Sequence, residues 1–222
     1  MTDVILGDGD KVILRPTTTQ QVNIEFCIES ATAIFQGVDV AHVPLYSQRD
    51  PTWSDDFLGY GRTTIGNWGC VVTSIAALLT YHGATETPAT VNQKAKERYG
   101  FHNGNLFVWE SVARIWSGLD VVFAKRVDCQ HVPAPIEDID LYLAAGQPVI
   151  VYVDFDHEPG NGLQTHFVLV VDKQGDDDYI IMDPWHGDLR SLVESYGDVD
   201  PRRPWMRKAE GVIQGVRFYR KL

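Results

Sequence analysis

The chain has 222 residues, 44% of them hydrophobic and 22% charged, with 19 Lys and Arg against 30 Asp and Glu. That length supports one sizeable core with at most a small appendage, and the composition excludes disordered, collagen-like and coiled-coil classes. A formal net charge of −11 repels phosphate backbones and argues against nucleic acid as a partner. No apolar run reaches the roughly 18 residues of a membrane span. Met1-Thr2-Asp3-Val4 lacks the basic and apolar regions of a signal peptide. The expectation is a cytoplasmic protein, or one released without such a signal.

The first forty residues read as β. Val4–Leu6 and Val12–Leu14 flank a Gly-Asp-Gly-Asp turn, which predicts a hairpin. Val22, Ile24, Phe26 and Ile28 alternate with polar neighbours, the period of a half-buried strand that would carry Cys27 on its polar face. A soft boundary near Gly37–Val43 gives a β-rich appendage over 1–40 and a main domain over 41–222. Helices are predicted from Val71 to Gly83, from Thr87-Pro88 to about Tyr99, over Leu106–Trp116 and over Ile136–Ala145. Strands follow at Pro148–Phe155, His166–Val171, Tyr179–Met182 and Gly211–Tyr219. Helices first and antiparallel strands after make an α+β layout.

The three cysteines form neither an even disulfide set nor a Cys-x-x-Cys pair, so a reduced compartment is expected. Asn67-Trp68-Gly69-Cys70 runs straight into the most apolar helix, and a cysteine at a helix N-terminus lies where thiolate is favoured. The same position also suits a small buried hydrophobe. His166 stands at the mouth of an apolar strand, and the next strand ends in Asp183-Pro184-Trp185. With a hairpin tip at Gln174-Gly175, His166 faces Asp183 directly, and a carboxylate there orients an imidazole. Gln48 is a neutral amide that could donate to an oxyanion beside the Cys70 amide. Cys70, His166 and Asp183 could alternatively ligate zinc. The acidic group Asp154, Asp156, His157 and Glu158 reads as a solvated loop. Trp53, Trp68 and Trp185 are candidates to line a cleft.

Gln48-x-Asp50-Pro51-x-Trp53, Ile65-Gly66-x-x-Gly69-Cys70, His166-Phe167-Val168 and Asp183-Pro184-Trp185, in that order, resemble the papain-like peptidases of cysteine peptidase family thirty-nine. The stand-alone branch of the bacteriocin-leader-processing type is the nearer likeness. Gln48 precedes Cys70 by 22 residues, a spacing that suits that branch. The resemblance covers about residues 43–196. It implies a papain-like α+β fold, Cys70 as nucleophile, His166 as base, Asp183 as its orienter and Gln48 as oxyanion donor. It implies a peptide substrate and requires no cofactor and no metal. The same apparatus could cut peptidoglycan cross-links, which would place the protein at a cell wall or on a virion. Transfer of the thioester to an amine, or a non-catalytic binding role, are the other readings.

Overall fold

The computed structural model describes residues 3–5, 11–13, 37–156, 163–198 and 202–222. The chain divides into two compact units, Met1–Phe35 and Gln36–Leu222. In the first, β1 (Asp3–Ile5) and β2 (Lys11–Ile13) pair antiparallel with Val4 opposite Val12. Both strands begin one residue earlier than the sequence suggests. The strand expected at residues 22–28, with Cys27, lies outside the described residues, as do His157 and Glu158.

The second unit opens with a 3-10 turn at Val40–His42 and an irregular segment that leads to α1 (Ile65–Trp68) and α2 (Cys70–Tyr81). Then come α3 (Pro88–Glu97), the hairpin β3 (Phe101–His102) and β4 (Leu106–Phe107), α4 (Ser111–Ile115) and β5 (Val121–Asp128). The order continues with α5 (Ile136–Ala144), β6 (Val149–Asp154), β7 (Thr165–Gln174), β8 (Asp178–Asp183) and β9 (Asp188–Ser191). α6 (Leu192–Tyr196), α7 (Ala209–Val212) and β10 (Gly215–Lys221) complete it. Six strands form one antiparallel sheet in the order β5-β10-β6-β7-β8-β9. This is the α+β architecture expected from the sequence.

α2 is buried because its apolar residues run almost around the helix: Val72, Ile75, Ala76, Ala77, Leu78 and Leu79 are all inaccessible. They pack on Ile150, Leu169, Val171, Met182 and Tyr219 of the sheet. The other face, with Val151, Val168, Val170, Ile181 and Phe218, packs on Ile139 and Leu143 of α5, Leu192 of α6 and Val212 of α7. Thr87 caps α3 through a reciprocal capping box with Thr90, and Pro88 fills its first turn, as its sequence indicates.

Two segments differ from expectation. Leu106–Trp116 is not one helix. Asn103 and Gly104 both take positive φ, 46° and 90°, so they form a tight turn that makes Leu106–Phe107 a strand paired with Phe101–His102. Only Ser111–Ile115 remains helical. Gly211 and Val212 lie in α7, so β10 starts at Gly215 rather than Gly211.

The β7–β8 hairpin corrects the expected register. Its tip is Gly175–Asp177, and Gln174 pairs with Asp178, Lys173 with Tyr179 and Asp172 with Ile180. Continued unbroken, that register would set His166 and Asp183 on opposite faces. Val171 is a bulge residue, after which Val170 pairs with Ile181 and Leu169 with Met182. The bulge restores parity. His166 and Asp183 therefore share a face as diagonal neighbours rather than facing each other directly.

Leu169 lies under α2 and is fully buried. Leu169→Ala should cost about 2–5 kcal/mol in urea unfolding, the range for a truncated core leucine; a cost below 1 kcal/mol would mean that α2 does not depend on this contact.

Candidate active site

Cys70 is the first residue of α2, and Gly69 before it allows the chain to turn from α1 into α2. A Cβ on Gly69 would come within 2.4 Å of the Ile65 carbonyl oxygen, so this junction requires glycine. Ser74, one turn on, donates its hydroxyl to the Phe167 carbonyl at 3.5 Å and ties α2 to β7 beside His166.

His166 is 4% exposed and Asp183 is inaccessible. Their side chains meet at 2.9 Å, His166 Nε2 to Asp183 Oδ1. Cys70, at the start of α2, is near enough to the imidazole to act on its protonation together with Asp183. With Nε2 held by the carboxylate, Nδ1 is the nitrogen left for the thiol. Burial alone would lower the His166 pKa, but the hydrogen bonds and charges of Asp183 and Cys70 outweigh it and lift it to about 9.

Asp183 is held by three donors. Besides His166, the Trp185 backbone N–H donates to Oδ1 at 2.9 Å and the Tyr196 hydroxyl to Oδ2 at 2.7 Å. Burial pushes its pKa up, but these bonds prevail and hold the carboxyl below its ordinary value. Tyr196 closes α6, is itself buried, and has its own pKa raised by desolvation and by the Asp183 charge. No local signal in the sequence marks it, since at 13 residues beyond Asp183 it looks like any apolar residue of a short amphipathic helix. Phe155 was likewise not anticipated. Its ring lies 5.2 Å from that of His166 and 5.0 Å from that of Trp185.

Gln48 is 1% exposed. Its Nε2 donates to the Gly66 carbonyl at 3.0 Å, and its backbone N–H donates to the Pro184 carbonyl at 2.7 Å. The glutamine is thus tied both to the α1 turn before Cys70 and to the turn after Asp183. Gly187, at φ 75°, ends that turn where a Cβ would come within 2.7 Å of Ser47 Cβ. Gln48 Oε1 is buried with no hydrogen-bond partner among the described residues. The amide's second hydrogen remains beyond the one that Gly66 takes.

The three tryptophans divide. Trp53 is core: it packs edge-on against Tyr46 and spends its indole N–H on the Ser47 carbonyl at 2.8 Å. Trp68 is 63% exposed on the α1 turn. Trp185 stands beside the histidine through Phe155. Cys129 is buried, and burial with the neighbouring Asp128 charge pushes its thiol up to about 11, which marks it as inert. Among the described residues no group of three or more His, Cys, Asp or Glu side chains is arranged to hold a metal ion, and no helix is long and apolar enough to cross a membrane.

Residues 40–200 match the model of the Peptidase_C39 like family. The chain belongs to that family. It is also similar to a crystal structure described as a C39-like peptidase from Bacillus anthracis, with 19% identity over 84% of this chain and 100% of that chain and a TM-score of 0.44. A search of curated proteins gives no match. The C39-like assignment, together with a cysteine-headed helix packed on an antiparallel sheet, is consistent with the papain-like fold that the sequence resemblance implies.

Two measurements follow from the buried pair. A histidine whose folded pKa is raised from 6.5 to about 9 contributes stability that is complete below about pH 6.5 and lost as pH climbs through 9. The melting temperature should fall across that window, and less steeply in His166→Gln; equal slopes would show that the pair is not linked to folding. Tyr196→Phe should destabilise by about 1.5–3 kcal/mol at pH 7, where the hydroxyl serves a carboxylate, and by less once acid protonates Asp183. A gap unchanged by acid would mean that the hydroxyl does not read the charge.

Proposed function

We propose that this C39-like chain is a cysteine peptidase in which Cys70 is the nucleophile, His166 the proton carrier, Asp183 its orienter and Gln48 an oxyanion donor. The observation that carries this reading is the buried His166–Asp183 pair, whose imidazole is raised in pKa by a cysteine at a helix N-terminus as well as by the carboxylate. The high proton affinity of His166 favours imidazolium, the form that can give a proton to a departing nitrogen.

The steps are those of acyl transfer to water. Cys70 Sγ attacks the peptide carbonyl carbon, and the carbonyl oxygen takes up negative charge beside the free hydrogen of the Gln48 amide. The C–N bond breaks as His166 gives its proton to the nitrogen, and the amine leaves. Water then gives a proton to His166 while its oxygen bonds the thioester carbon. The C–S bond breaks, returning thiolate, imidazolium and a free acid.

Cys70→Ala should abolish hydrolysis of a peptide pool followed by mass spectrometry, and undiminished cleavage by this variant would overturn the assignment. Gln48→Ala should lower turnover about 10²–10³-fold while leaving Cys70 open to alkylation. Iodoacetamide at about pH 6 should modify Cys70 and spare Cys129, whose thiol is pushed up to about 11.

A further inference from the structure

We propose that Arg49 forms a carboxylate-binding subsite on the leaving-group side of His166, an inference that rests on the peptidase reading above. Arg49 follows Gln48 directly. Its guanidinium lies over the Trp185 ring at 4.7 Å from the centroid. Trp185 in turn meets Phe155 at 5.0 Å, and Phe155 meets His166 at 5.2 Å. The histidine must hand its proton to the departing nitrogen, so the departing half of the substrate passes on the side of His166. Arg49 stands at the outer end of that aromatic row.

The guanidinium is a donor in search of a partner. Arg49 is exposed and has no ion pair or side-chain hydrogen bond among the described residues, although five N–H groups project from it. Asp50, the next residue in the chain, accepts from the Thr52 backbone. Stacking on Trp185 restrains the side chain, which lowers the entropy lost when a ligand is gripped. In a chain of net charge −11, a cation with no ion pair among the described residues is a local landing point for an anion. The planar fork fits a carboxylate through two parallel bonds. The ligand is therefore a carboxylate of the departing peptide, either an Asp or Glu side chain next to the cut bond or the free C-terminus a few residues on.

The test uses the intact chain and two synthetic peptide pools, one with free C-termini and one amidated, with new ends sequenced by mass spectrometry. Wild type should favour Asp and Glu over Asn and Gln just after the cut bond in the amidated pool, or free over amidated ends, by about 5-fold, as an exposed ion pair allows. The preference should vanish in Arg49→Gln, turn toward Lys and Arg in Arg49→Glu, and shrink in 0.5 M salt. Cleavage by wild type with neither preference, or a preference that survives in Arg49→Gln, overturns the subsite and leaves the peptidase reading standing. No cleavage of either pool by wild type overturns both. Acidic side chains against free ends separate the two carboxylate sources, and circular dichroism confirms that both variants are folded.

Discussion

A carboxylate with no exposed surface is the constraint around which this fold is arranged. Burying a charge in a protein interior is tolerable only when its lone pairs are met by donors. Asp183 meets that condition with an imidazole from β7, a backbone N–H from its own turn and a phenol from α6. Each comes from a different element, so the sheet, the turn and the second helical layer must all be in place for the charge to be held. The imidazole then gains from the arrangement, because the carboxylate lifts its proton affinity above what burial alone permits.

The loop that carries Gln48 is fixed by the same turn. The Pro184 carbonyl that follows Asp183 accepts from the Gln48 backbone, while the Gly66 carbonyl that precedes Cys70 accepts from its side chain. One residue therefore bridges the helix start and the strand end. That bridge spans the two layers of the domain with backbone acceptors, which hold position better than side chains do.

Much of this is readable in the sequence because the relevant residues stand at chemically marked places. Glycine before an apolar helix, histidine at a strand mouth and Asp-Pro at a strand end are local signals, and α2, α3, α5 and β6–β8 follow from periodicity and caps. What escapes reading is of a different kind. The Val171 bulge is an apolar residue within an apolar run, so no pattern marks it. β5 and β9 lie at the sheet edges, where one flank is open and alternation fades. Asn103-Gly104 does carry a turn signal, but the apolar residues after it also satisfy a helical period. Tyr196 acquires its importance only from a contact made across the chain fold. Trp53 looks like a cleft residue by its neighbours in sequence and is core by its neighbours in space.

The bulge at Val171 gives the β7–β8 hairpin a phase. Outside it, toward the open end, side chains alternate in one sense; inside it, toward the tip, the alternation is reversed. Loop length at Gly175–Asp177 therefore acts together with the bulge, since the tip register alone would put His166 and Asp183 on opposite faces and the one bulged residue returns them to the same face. Between His166 and the bulge the frame is as strict. A single inserted or deleted residue there exchanges inward for outward, and only a change of two restores the frame.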